Sequence, residues 1–133
     1  KEVYIFTNVH NLSYWNNPLS RPSNFPHVIK EPNPKLIISS AYRAAFSEVF
    51  KVLSKEYAQK NISCINIAPG PINTDRTQEL IENVEEFEKT LPMKRLGKPE
   101  EIGNFVKGIV ENNIKYLSGV TINFDGANSN TIF

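Results

Sequence analysis

The residues best placed to do chemistry follow a short apolar run, 62–67, that ends in a Pro-Gly turn. The run is rich in β-branched residues and is closed by Pro69 and Gly70, which predicts a buried strand followed by a sharp turn. In open α/β sheets, ligands bind in the crevice outside the carboxyl ends of the strands. Residues 67–76 are therefore a candidate ligand-binding loop. The alternative is a plain turn, because a lone turn motif is weak evidence.

Composition limits the kind of protein that this chain can be. Its 133 residues suffice for one domain, and the net charge of +1 comes from scattered basic residues that indicate neither a nucleic-acid nor a membrane surface. Cys64 is the only cysteine, so no intrachain disulfide can form, and a thiol in an apolar strand favours a reducing, cytoplasmic location. His10 and His27 have no partner at metal-ligand spacing, so no metal is assigned.

The elements that must position the loop alternate between strand and helix. Residues 3–7 predict a strand, and the Pro-rich residues 10–35 predict a long irregular loop. A helix is predicted over 39–59, where apolar residues recur at helical spacing and Ser39 or Ser40 can cap the first turn. Its broad apolar face suits packing on the sheet and on a neighbouring helix, including one from another subunit.

Beyond the loop, two helical segments and a last strand are predicted. Residues 75–91 indicate one helix or a broken one, with Asp75 and Gln78 resembling a capping box. Pro99 indicates a further helix start, because proline suits the first helical position. Residues 120–124 predict the final strand, followed by a loose tail.

This order of elements predicts an α/β fold with a parallel sheet of about three strands and right-handed crossovers. A parallel sheet needs cover on both faces, and three strands with an open edge make a poor isolated domain. We therefore expect the chain to be half of a larger fold.

Three blocks of sequence occur in a recognisable order and spacing. They are 67–74 (Ile-Ala-Pro-Gly-Pro-Ile-Asn-Thr), 92–102 (Pro-Met-Lys-Arg-Leu-Gly-Lys-Pro-Glu-Glu-Ile) and 116–126 (Tyr-Leu-Ser-Gly-Val-Thr-Ile-Asn-Phe-Asp-Gly). Together they resemble the C-terminal half of a short-chain dehydrogenase/reductase. The resemblance implies a Rossmann-type sheet in which this chain supplies the fifth, sixth and seventh strands, with a substrate lid at 75–98.

The resemblance also implies that the loop meets the nicotinamide end of NAD or NADP. Pro69 and Gly70 would shape the turn, the backbone of Ile72 would contact the carboxamide, and the Thr74 hydroxyl would bond it. The chain's six glycines include no glycine-rich pyrophosphate loop, so alone it is expected to bind a dinucleotide weakly or not at all. A second polypeptide or an N-terminal segment would have to complete the fold.

The catalytic positions depart from the family's Tyr-x-x-x-Lys pattern. An ungapped alignment places Ser39 at the tyrosine and Arg43 at the lysine, and so resembles a divergent branch of the family that carries Ser-Asn-x-x-Arg. Arginine keeps its proton and a serine alkoxide is far more basic than a tyrosinate. Arg43 could instead hold a ribose, a phosphate or a substrate carboxylate. The other placement puts the tyrosine at Tyr42, a possible displaced acid, and Phe46 at the lysine.

Three functions remain open on the sequence alone. The first is an NAD(P)-dependent, 3-oxoacyl reductase-like oxidoreductase acting on a small carbonyl or hydroxyl substrate. The second is a non-catalytic homologue with a binding or assembly role, and the third is a structural fragment without activity. The family's subunit contacts imply a dimer or tetramer for the first two. Because it begins with Lys1 rather than Met, the chain is expected to be a processed, cleaved or trimmed piece.

Overall fold

The computed structural model describes residues 3–8 and 37–130, so the predicted loop at 10–35 lies outside the described residues. The strands are β1 (Val3–Asn8), β2 (Ile62–Pro69) and β3 (Val120–Phe124). The helices are α1 (Ile37–Tyr57), α2 (Asp75–Leu80), α3 (Val84–Thr90) and α4 (Pro99–Glu111), with a 3-10 turn at Ala58–Lys60. No helix among these residues is long and apolar enough to cross a membrane.

The described strands form one parallel sheet in the order β1-β2-β3. Val3 is paired with Ile62 on one side of β2, and Pro69 is paired with Phe124 on the other. Because the strands are parallel, β2 and β3 end at the same edge of the sheet, where residues 69–74 begin. The predicted α/β fold with three parallel strands is confirmed.

The centre of the described core is β2. Residues 63–67 are buried in succession, and the side chain of Ile65 is 0% exposed. Such a run without alternation is typical of a parallel strand covered on both faces. The burial of Cys64 raises the pKa of its thiol, which keeps the sulfur protonated and unreactive. Cys64 therefore has a packing role.

Helix α1 packs on β2 with a face that includes polar residues. It begins at Ile37, so Ser39 and Ser40 lie in its first turn and the predicted cap at either serine is wrong. The buried positions are Arg43, Phe50 and Ser54, at a spacing of i, i+7 and i+11. Of the predicted apolar face, Phe50 is buried, whereas Phe46, Val49 and Leu53 stay exposed within the described part of the chain.

The segment after the loop contains two short helices, which is the broken helix that the sequence analysis left open as an alternative. Thr74 caps α2, because its Oγ1 accepts a hydrogen bond from Thr77 N at 3.3 Å. Asn83 caps α3, with its Oδ1 accepting from Glu86 N at 3.1 Å. The predicted capping box of Asp75 and Gln78 is therefore wrong; Gln78 instead donates from its side chain to Asn73 Oδ1.

The chain after β3 is also more ordered than the sequence predicts. The Asp125 carboxylate accepts from Ala127 N at 3.1 Å and from Ser129 N at 2.9 Å. Asn123 Nδ2 donates to Ser129 Oγ at 3.1 Å. These bonds hold the described part of the tail against the end of β3, so the prediction of a loose tail is wrong up to residue 130.

Candidate functional site

The loop at 69–74 approaches the end of β3 very closely at Gly70. Gly70 N donates to Phe124 O at 3.0 Å, which continues the β2–β3 ladder past Pro69. A Cβ atom added at Gly70 would lie 2.7 Å from Asp125 Cα, inside any permitted contact. Glycine is required there because only a residue without a side chain lets the two backbones approach this far.

The other side of the loop is bonded to Gly97. Gly97 N donates to Pro71 O at 2.9 Å, and Asn73 N donates to Gly97 O at 2.8 Å. These two bonds make a one-residue parallel bridge between Ile72 and Gly97. In a parallel pair the backbone groups of successive residues point to alternate sides. The N–H and C=O of Ile72 therefore point away from Gly97, as one donor and one acceptor side by side.

An ion pair fixes the segment that carries Gly97. Arg95 Nη2 and Nη1 donate to Glu101 Oε1 and Oε2 at 2.7 and 2.8 Å, a bidentate contact. The guanidinium of Arg95 and the backbone N–H of Lys98 lower the pKa of Glu101 to about 2. A depressed carboxyl pKa means that the pair's contribution to stability is complete above the ordinary pKa and is lost as pH falls toward 2.

Two threonines meet where the loop enters α2. Thr74 Oγ1 lies 2.9 Å from Thr77 Oγ1 and also accepts from Thr77 N. Thr77 is buried and Thr74 is exposed. A hydroxyl has one hydrogen to donate and two lone pairs. When Thr77 is the donor, Thr74 accepts both bonds and keeps its own hydrogen for a ligand.

Arg43 is a buried cation with an unsatisfied donor. Its side chain is 4% exposed, and its Nε has no hydrogen-bond partner within the part of the chain that the structure describes. Burial lowers the pKa of the guanidinium from its usual value. A buried N–H without a partner is uncommon in folded proteins and indicates a missing acceptor.

The position of Arg43 along the sheet follows from two contacts of its helix. Lys51 Nζ donates to Gly119 O at 2.6 Å, and Gly119 N donates to Cys64 O at 2.7 Å, so Lys51 stands beside the start of β2. Arg43 is eight residues earlier, or about 12 Å along the helix, which equals roughly four residues of strand. Since α1 connects two parallel strands, it runs antiparallel to β2, and Arg43 therefore lies toward the carboxyl ends of the strands.

The two other predicted catalytic residues are placed differently. Ser39 lies one helical turn before Arg43 on α1. Tyr42 is 66% exposed, and neighbouring helical residues point about 100° apart. The structure thus places Arg43, and not Tyr42, on the buried face of α1. The catalytic roles of all three stay predictions.

Sequence reasoning missed Thr77, Arg95, Gly97 and Glu101. The last three lie in the block 92–102, which carried the family resemblance without any role for its side chains. Arg95, Gly97 and Glu101 border a cavity of about 310 Å³ beside the loop. The cavity is also lined by Ile72, Met93, Phe124 and Ala127. The only available signal was the Arg-x-Gly-x-Pro-Glu-Glu spacing itself.

Comparisons with known proteins identify relatives of this chain. A family model described as enoyl-(acyl carrier protein) reductase matches residues 28–127, more than half of the chain. The 3-oxoacyl-[acyl-carrier-protein] reductase FabG of Chlamydia muridarum is 39% identical over 88 residues, covering 65% of this chain and 36% of that protein. The chain thus spans little more than a third of this relative's length.

Solved structures agree with the sequence match. The structure of YwfH, described as an NADPH-dependent reductase involved in bacilysin biosynthesis, aligns with a TM-score of 0.71 at 30% identity, over 79% of this chain and 44% of that one. The 3-ketoacyl-(acyl-carrier-protein) reductase from Brucella melitensis complexed with NADH aligns with a TM-score of 0.70 at 20% identity, over 96% of this chain and 45% of that one. The second similarity shows the fold alone.

Proposed function

This chain belongs to the short-chain dehydrogenase/reductase superfamily, and we propose that it forms the nicotinamide-facing half of an NAD(P)-dependent oxidoreductase. The family membership and the Rossmann-type fold that the sequence predicts are both confirmed. The observation that carries the proposal is the loop at 69–74. It projects from the carboxyl edge of the sheet and is bonded on one side to Phe124 and on the other to Gly97.

The backbone of Ile72 matches the chemistry of a carboxamide. A primary amide presents one carbonyl acceptor and an NH₂ donor, and Ile72 presents one N–H and one C=O on the side away from Gly97. The Thr74 hydroxyl adds a third group in the same loop. Pro69 and Gly70 set the turn that brings these groups to the edge. A bound nicotinamide would supply the hydride chemistry, and this loop would orient it.

Arg43 has the properties of a binding group rather than a proton carrier. A guanidinium stays charged at all working pH values and presents five donors in a fixed fork. We assign its unsatisfied Nε to an oxygen of a ribose, a phosphate or a substrate carboxylate. Proton exchange with the substrate falls to Ser39, one turn away, with Tyr42 as the alternative acid.

The whole enzyme requires more than this chain. We infer that a second polypeptide or an N-terminal segment supplies the glycine-rich half that holds the pyrophosphate. We also infer a homo-oligomer, a dimer or tetramer, because α1 leaves a row of large apolar side chains exposed. They are Ile37, Ile38, Phe46, Val49, Val52 and Leu53. The free thiol of Cys64 supports the proposed cytoplasmic location.

The proposal is tested by carbonyl-dependent oxidation of a reduced dinucleotide. The protein is purified together with the N-terminal segment or second polypeptide that completes its fold and is mixed with NADH or NADPH and a 3-oxoacyl thioester. The loss of the near-ultraviolet absorbance of the reduced nicotinamide is followed. We expect oxidation that requires the carbonyl compound. Saturable binding without oxidation over a panel of carbonyl compounds would favour the non-catalytic assembly role that the exposed face of α1 supports. No binding of either dinucleotide would refute the proposal.

Replacing Thr77 by valine should weaken dinucleotide binding. Valine keeps the volume but removes the hydroxyl that lies 2.9 Å from Thr74 Oγ1 and that, as the donor, leaves the Thr74 hydrogen available for a ligand. The loss of one hydrogen bond corresponds to an increase of about three- to tenfold in the Kd of NADH or NADPH. Fluorescence titration measures it, and Thr77→Ser, which keeps the hydroxyl, is the control. Equal Kd values for the valine and serine variants would contradict the assigned role.

A further inference from the structure

One carboxylate fixes both ends of the segment 95–98. Glu101 holds the Arg95 guanidinium with both oxygens, and its Oε2 also accepts from Lys98 N at 2.8 Å. Gly97 lies between these two anchors. Its N–H and C=O are the groups that bond Pro71 and Asn73 on either side of Ile72.

The segment and the loop are joined at Gly97 by two backbone hydrogen bonds and by contact with the Ile72 side chain. A Cβ added at Gly97 would lie 2.7 Å from Ile72 Cδ1, so the two segments already touch. Leu96 is buried, and its N–H donates to Glu88 Oε1 at 2.9 Å, which also ties the segment to α3. A shift of the 95–98 segment is therefore passed on to the backbone of Ile72.

We propose that Arg95 and Glu101 are positioning residues that set the direction of the Ile72 N–H and C=O toward the nicotinamide carboxamide. This inference rests on the function proposed above. Neither side chain needs to touch the dinucleotide, since they act through Gly97. The pair persists across the working pH range, because the pKa of Glu101 is held at about 2.

The test compares a dinucleotide with the same molecule lacking nicotinamide. Kd values for NADH and ADP-ribose, or for NADPH and 2′-phospho-ADP-ribose, are measured on Glu101→Gln and on a matched control, Glu100→Gln. Glu100 lies in the same helical turn and is exposed. Glutamine at 101 removes the charged fork to Arg95. We expect the dinucleotide Kd to rise about three- to tenfold in Glu101→Gln, with the ADP-ribose Kd unchanged and neither Kd altered in Glu100→Gln.

A second variant separates geometry from charge. Arg95→Lys keeps the positive charge but cannot form the bidentate contact, so it should reproduce the loss seen in Glu101→Gln. Arg95→Lys also tests the proposal by itself if Glu101→Gln does not fold. Thermal unfolding shows whether each variant is folded. Equal weakening of dinucleotide and ADP-ribose would mean a general structural effect and would overturn the proposal. So would an unchanged dinucleotide Kd in both variants.

The failure of this inference can be told apart from failure of the proposed function. If the wild-type protein binds neither dinucleotide, the proposed function is wrong. Hydrogen exchange of the Asn73 amide, which donates to Gly97 O, then tests in the free protein whether Arg95 and Glu101 position the loop. Faster exchange in Glu101→Gln than in Glu100→Gln would show that the pair of Arg95 and Glu101 holds the loop in place. Equal exchange in the two variants would show that it does not.

Discussion

Replacing Arg43 by alanine is expected to reduce turnover by about a hundredfold, the usual cost of removing one preorganised donor from an active site. The guanidinium is buried and its Nε has no partner among the described residues, so its loss would remove the donor that we propose for an oxygen of substrate or cofactor. Steady-state kinetics with a carbonyl substrate measure the effect. Thermal unfolding shows whether the variant is folded.

Two further variants make this prediction specific. Arg43→Lys restores the family's usual residue and should retain more activity than the alanine variant. Tyr42→Phe should leave turnover within about twofold, because its ring is on the exposed side of α1. Wild-type turnover in Arg43→Ala would show that Arg43 does not belong to the active site. A large loss in Tyr42→Phe would instead identify Tyr42 as the acid.

The substitution Gly70→Ala should abolish most dinucleotide binding and destabilise the fold. The new Cβ would meet the backbone of Asp125 at 2.7 Å, so either the loop or the end of β3 must move. Overpacking of this kind costs about 1–3 kcal/mol of unfolding free energy. Movement of the loop should raise the Kd of NADH or NADPH at least tenfold. Urea unfolding and fluorescence titration measure the two effects.

Gly103→Ala is the matched control for this substitution. A Cβ at Gly103 has nothing within 4 Å, and the residue lies inside α4, where alanine is the better helix former. This variant should be as stable as the wild type or more stable by up to about 1 kcal/mol. If Gly70→Ala behaves like Gly103→Ala, the close approach of the loop to β3 is not needed.

The strands and the loop could be predicted because their signals are local. The apolar run at 62–67 is short and is ended by proline and glycine, which leaves few alternatives to a strand and a turn. The sequence left one helix or a broken one open over 75–91, and the position of the break between α2 and α3 could not be predicted in the same way. Apolar residues continue at helical spacing across it, from Leu80 to Leu91, and no proline or glycine marks Ile81. At the break, Ile81 is extended and Asn83 caps the start of α3.

The candidate site was only partly predictable, because its remaining contacts join distant segments. Gly97 bonds residues more than twenty positions away, and this pairing leaves no periodic signal around either partner. The burial of Arg43 could not be predicted from the sequence either. The buried face of α1 contains Arg43 and Ser54 beside Phe50, whereas Phe46, Val49 and Leu53 of the predicted face stay exposed. Packing of the helix on the sheet overrides the local pattern.

The most direct measurement is hydrogen exchange of the loop in the purified protein with saturating NADH or NADPH. Mass spectrometry of a peptide that covers residues 69–80 reports the protection of its amides. We expect protection of the Ile72 amide with the dinucleotide and no protection with ADP-ribose, because only the dinucleotide carries the carboxamide. Tight dinucleotide binding without protection in this peptide, or equal protection by ADP-ribose, would contradict the assignment of this loop to the nicotinamide.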